Sequence, residues 1–147
     1  MKHISLIASL LKKNQRLYTL ALLSELEDRG YTDLRPSFIE IMSFLAENEG
    51  ASIKEIGASC GLKKQTMTTH INELDKRGYI TRRVGSADRR EQKIYLTHYG
   101  QSFKLILQEV VESIDQDLSQ KLGEVEIERL YHVLDKLHSQ LKEKARN

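Results

Sequence analysis

Residues 52–80 read SIKEIGASCGLKKQTMTTHINELDKRGYI, and the way this run divides decides the fold. Ser52-Ile-Lys-Glu55 has the form of a capping box, in which the serine hydroxyl takes an orphan backbone N–H and the glutamate reaches back to the cap. It opens a short helix from Ile53 to Cys60 that stops at Gly61, a residue able to take the positive φ of a tight turn without a side-chain penalty. A second helix begins near Lys63 and lasts until Gly78. Met67, Ile71 and Leu74 are spaced by four and three, so they share its core face. A short helix, a glycine turn and a longer helix make the helix-turn-helix plan. Gly57 sits where a small residue lets the second helix cross closely, and Cys60 and Leu62 flank the turn as apolar plugs.

With that core face assigned, the opposite side of the second helix carries Gln65, Thr66, Thr68, Thr69 and Asn72, flanked by Lys63, Lys64 and Lys76. A row of short hydrogen-bonding side chains near the N-terminus of such a helix is what reads base edges in a major groove. An ordinary solvated face explains any one of these residues; it explains five neighbours beside a glycine turn much less well.

After Gly78 the period changes from helical to alternating. Tyr79–Val84 reads as a strand, residues 85–88 as a turn and Lys93–Thr97 as a returning strand. Arg82 and Arg83 fall on the first strand and Arg89 and Arg90 near the tip. An arginine-bearing hairpin suits the narrow minor groove, where negative potential concentrates. Asp88 is placed to hold Arg90 across the turn, an exposed pairing that serves orientation more than stability. Between Lys63 and Lys93 there are nine Lys or Arg against four acids, so this segment carries +5 of a chain whose net charge is +2. A localised positive field of that kind attracts a phosphate backbone.

Further out, helices dominate. Residues 4–29 carry apolar positions at helical spacing up to Gly30, and Pro36 opens a helix striped by Phe38, Ile41, Met42 and Leu45. Phe103, Leu107, Val110, Ile114 and Leu118 mark another helix. Ile127, Leu130, Leu134, Leu137 and Leu141 form a near-heptad stripe on a last, very polar one. A partner chain is the natural destination of that stripe, with packing inside one chain as the other reading. The fold class is therefore mainly α: a winged helix-turn-helix with a two-stranded β-hairpin wing and an N- and C-terminal helical dimerisation region. We read residues 1–147 as one domain, with 1–30 and 100–147 as dimerisation helices and 34–97 as the DNA-binding lobe.

The 147 residues, 39% of them apolar and 30% charged, suit a single globular domain. Lys12, Lys13 and Arg16 interrupt the first apolar stretch, which argues against a membrane span and makes a cytoplasmic location the default. One cysteine rules out an intrachain disulfide. The five histidines show no ligand spacing and no phosphate loop or nucleophile elbow is present, so neither an enzyme, a cofactor nor a metal is expected.

Two stretches together, residues 53–80 and Asp88-Arg-Arg-Glu-Gln-Lys-Ile-Tyr-Leu-Thr97, resemble the MarR family of bacterial transcription regulators over essentially the whole chain. The Asp-x-Arg wing leading into Leu-Thr is the more specific part. The resemblance implies a homodimer interlocked through its first, fifth and sixth helices. It implies a palindromic duplex site, with the groove-reading helix on Lys64–Arg77 and the wing on Arg82–Lys93. It also implies a repressor released by a small aromatic or amphipathic effector, for which Tyr18, Tyr31, Phe38, Tyr99 and Phe103 are candidate walls and equally candidate core. The alternatives are an oxidant- or metal-responsive regulator and a winged-helix protein-interaction module. The sequence departs from the family pattern at Lys63, where a Ser or Thr commonly caps the helix, and it lacks the cysteine that the family's peroxide-sensing branch carries near the start of the first helix. Cys60 stands as an apolar plug or as a redox residue whose oxidation would disturb the motif.

Overall fold

The computed structural model describes residues 3–85, 87 and 89–146. Six helices and one hairpin follow in order: α1 (Ile4–Asp28), α2 (Pro36–Glu47), α3 (Ile53–Cys60), α4 (Lys64–Lys76), β1 (Ile80–Val84), β2 (Gln92–Leu96), α5 (His98–Leu122) and α6 (Glu124–Arg146). The chain divides into two compact units, Met1–Val110 and Val111–Asn147, and the division falls within α5.

The first unit holds the core. Leu22 and Leu26 of α1 are buried, as are Phe38, Ile41, Met42 and Leu45 of α2, Ile56 of α3 and Met67, Ile71 and Leu74 of α4. Each set recurs at three- or four-residue spacing, the condition for a helix to offer one continuous apolar stripe. Ser52 caps α3 as the spacing requires: its Oγ accepts from the Glu55 N–H, and the Glu55 carboxylate accepts from the Ser52 N–H. Gly61 closes α3 at φ +67°, the left-handed region. A Cβ on Gly57 would lie 3.0 Å from Met67 Cγ and 3.2 Å from the Leu62 carbonyl oxygen, so α4 crosses α3 closely and a larger residue there would force its neighbours to shift.

The hairpin is antiparallel, pairing Ile80 with Leu96, Arg82 with Ile94 and Val84 with Gln92. It has more support than two strands provide. The Gly50 N–H donates to the Ile94 carbonyl at 2.8 Å and the Ile94 N–H to the Ala51 carbonyl at 2.9 Å, so residues 50–52 line the free edge of β2. Thr97 then seats α5. Its hydroxyl donates to the Gly78 carbonyl and accepts from the Gly100 N–H, capping the helix at its third residue. A Cβ on Gly100 would overlap the Tyr79 carbonyl oxygen, so α5 begins directly against the chain entering β1.

The second unit has no comparable interior. No residue of α6 is buried, and Leu118, Leu122, Leu130 and Leu141 are all exposed. No described helix is long and apolar enough to cross a membrane.

Candidate nucleic-acid interface

Because Met67, Ile71 and Leu74 turn inward, helical geometry leaves Lys63, Lys64, Gln65, Thr66, Thr68, Thr69, Asn72 and Lys76 on the open side of the motif, and all eight are exposed. Lys63 is the N-cap of α4 and makes no side-chain capping bond, so the first N–H groups of α4 have no side-chain partner from the cap. Free N–H groups and the positive end of the helix dipole suit an anion there.

Two kinds of side chain are committed in ways the sequence did not disclose. The Thr68 hydroxyl donates to the Lys64 carbonyl at 3.0 Å and the Thr69 hydroxyl to the Gln65 carbonyl at 3.1 Å. With their protons used on the helix backbone, both threonines present a methyl group and an acceptor oxygen outward. Asn72 accepts from Arg82, whose guanidinium also meets Asp75 and Gln92. Arg82 thus joins the wing to α4, whereas Arg83 points to the other face and stacks 4.2 Å above the Tyr95 ring. Strand parity accounts for the difference: Arg82 shares a face with buried Ile80, and Arg83 does not.

Arg89 and Arg90 are exposed at the wing tip. The expected Asp88–Arg90 pairing rests on Asp88, which lies outside the described residues. Between the wing, α3 and the start of α4 runs a cleft of about 810 Å³ bordered by Lys54, Lys64, Thr68, Arg90 and Gln92. Lys54 went unnoticed in the sequence because it lies inside the capping box rather than on α4.

Within one copy the five aromatic candidates fall in three places. Tyr31, Tyr79, Tyr99 and Phe103 form one cluster, with neighbouring ring centroids 4.9–6.0 Å apart and Tyr99 exposed at its edge. Tyr79 is fully buried and donates to Asp33 Oδ1 at 2.8 Å; burial, reinforced by that carboxylate, pushes its phenol pKa far up. Phe38 packs elsewhere, edge-on to His70 and beneath the Arg77 guanidinium. Tyr18 borders a separate cleft of about 510 Å³ between α1, α2 and the end of α3, where Cys60 also lies. There burial, and then the Glu40 carboxylate, push the Cys60 thiol up, which disfavours the reactive thiolate. Among the described residues no group of three or more His, Cys, Asp or Glu is placed to hold a metal ion.

The MarR family model matches residues 32–91, the span from the approach to α2 through the wing tip. The regulator SarZ of Staphylococcus haemolyticus is 31% identical over 100 residues, 67% of this chain and 67% of its own. A regulatory protein for the hcr operon of Thauera aromatica is 25% identical over 112 residues, 76% of this chain and 68% of that one. Among solved structures, FabT of Streptococcus pneumoniae in complex with DNA superposes with a TM-score of 0.79 at 18% identity, covering 96% of this chain and 99% of that one. The helix-turn-helix core, the arginine-bearing wing and the flanking helices agree with these matches, and the chain belongs to the MarR family of winged helix-turn-helix regulators, proteins that bind DNA and control transcription.

Proposed function

We propose that this chain acts as a homodimer that reads a short inverted repeat in duplex DNA, represses transcription there, and is released by a small aromatic or amphipathic effector. The observation that carries the reading is the open face of α4, where Lys63, Lys64, Gln65, Thr66, Thr69 and Lys76 stand exposed beside a wing tipped by Arg89 and Arg90. In this reading the N-terminal half of α4 enters the major groove, Gln65 meets an adenine edge, the threonine methyls meet thymine methyls, and the lysines take phosphates. The wing arginines reach the neighbouring minor groove. Lys54 adds a phosphate contact from the far side of the cleft.

Dimerisation is supported by apolar surface that one copy leaves uncovered. Ile4, Leu6, Leu10 and Leu17 of α1 are each more than half exposed, and the stripe on α6 has no buried member. Exposed apolar side chains recurring along a helix mark surface that a partner covers. A second copy covers like with like, and its two-fold axis then sets two half-sites about one helical turn apart. Repression and release by a small molecule are the usual habits of the family. The test is a selection of bound duplexes from a random pool. An enriched inverted repeat with half-site centres about 10 base pairs apart supports the reading; enrichment of a single asymmetric half-site, or none, overturns it.

A further inference from the structure

The Arg82 guanidinium sits where the wing meets α4. Its Nε donates to Asp75 Oδ2 at 3.1 Å, its Nη1 to Gln92 Oε1 at 3.4 Å and its Nη2 to Asn72 Oδ1. Asn72 and Asp75 are three residues apart on α4 and so lie on one face, while Gln92 opens β2. One planar group therefore ties β1 to both its partner strand and the helix, using three of five N–H donors whose fork is rigid. Its side chain is 27% exposed, the remainder being sunk between these elements.

We propose that Arg82 is a positioning residue for DNA recognition: it fixes the wing against α4 and, by holding the Asn72 carbonyl, fixes which way the Asn72 amide faces. An asparagine that reads adenine in two points needs both its oxygen and its nitrogen. With its oxygen turned to the guanidinium, Asn72 cannot also aim that oxygen and its N–H₂ side by side at one adenine, and replacing Arg82 frees the amide to turn. The charge of Arg82 is matched by Asp75 and is not spent on a phosphate. This rests on α4 and the wing being the DNA-contacting elements.

The test uses the full-length protein, a labelled duplex bearing the selected inverted repeat, and the variants Arg82→Gln, Asp75→Asn and Asn72→Ala, each checked by thermal melting to be folded. Arg82→Gln and Asp75→Asn are expected to weaken binding by about three- to tenfold with the slope of log affinity against log salt unchanged. Asp75→Asn is the more telling, since removing a negative charge near DNA would tighten binding if only the field mattered. In repeated site selection, Arg82→Gln is expected to change the preferred base at one position of each half-site, the position whose preference Asn72→Ala abolishes. Tighter binding by Asp75→Asn would overturn the proposal. So would an unchanged base preference in Arg82→Gln, or a slope that drops by about two, the loss of one phosphate contact per subunit. A parallel Arg90→Ala variant separates the premises: unchanged affinity and slope there would refute the wing as a DNA contact, and the Arg82 assignment with it.

Discussion

Replacing Gly57 by alanine sets two effects against each other with magnitudes that can be worked out. In an open helix the change stabilises by about 1 kcal/mol, because alanine loses less backbone entropy. Here the new Cβ would meet Met67 Cγ at 3.0 Å and the Leu62 carbonyl oxygen at 3.2 Å. Met67 is 1% exposed and cannot swing into solvent, and the Leu62 carbonyl belongs to the turn backbone. Either α4 moves outward by a few tenths of an ångström or the turn opens, an overpacking cost of about 1–3 kcal/mol. The expected net change is a destabilisation of about 1 kcal/mol, lowering the melting temperature by about 4 °C. Urea unfolding followed by circular dichroism at one fixed protein concentration measures it, since the apparent stability of a dimer depends on concentration. DNA affinity is expected to fall as well, because the same contact sets the angle at which α4 is presented. A Gly57→Ala protein more stable than the parent by the full 1 kcal/mol, with DNA affinity intact, would refute the close crossing.

Three further outcomes follow from other parts of the molecule. Leu134→Asp places a charge within the uncovered stripe of α6 and is expected to shift the sedimentation profile at micromolar protein from dimer toward monomer; an unchanged profile would mean the stripe is not the interface. Arg90→Ala, at the exposed wing tip, is expected to weaken binding to all duplexes and to lower the salt slope by about 0.9 per subunit, read by fluorescence anisotropy across a salt series. His70, whose Nδ1 is buried with no hydrogen-bond partner among the described residues, has its pKa lowered from 6.5 by burial and then by Arg35. The unfolded imidazole therefore takes up a proton near pH 6.5 and the folded one only at lower pH, so stability is full above 6.5 and declines as pH falls below it. Melting temperatures of the parent and of His70→Gln between pH 7.5 and 5 check this, the variant being expected to show the flatter profile.

What was legible in the sequence was whatever a local signal carries. Ser52 and Glu55 announced their box, Gly61 its turn, Gly57 its close crossing, and the spacing of Met67, Ile71 and Leu74 the inner face of α4. Pairings between distant residues were not legible. The strand-like edge at 50–52 is too short to alternate, and only its hydrogen bonds to Ile94 reveal it. Nothing local marks Gly100, where a Cβ would overlap the Tyr79 carbonyl oxygen. Arg82 and Arg83 are adjacent and identical in type, yet one is a clamp on α4 and the other a lid on Tyr95. Their parity with buried Ile80 held the distinction, and it becomes visible only once the inner face of the hairpin is known. The aromatic residues carried no local signal to separate pocket wall from core, and within one copy they divide between a cluster with Tyr79, the Phe38–His70 contact and a cleft at Tyr18.

The most direct measurement on the central claim is a titration of the selected duplex with the purified protein at 50 and 200 mM salt. Exposed cations on α4, α3 and the wing, doubled in a dimer, place enough contacts on phosphate for affinity to fall by about a thousandfold or more between the two conditions. A weak signal that is the same at both salt concentrations would contradict DNA recognition by this face and favour a winged helix that binds protein.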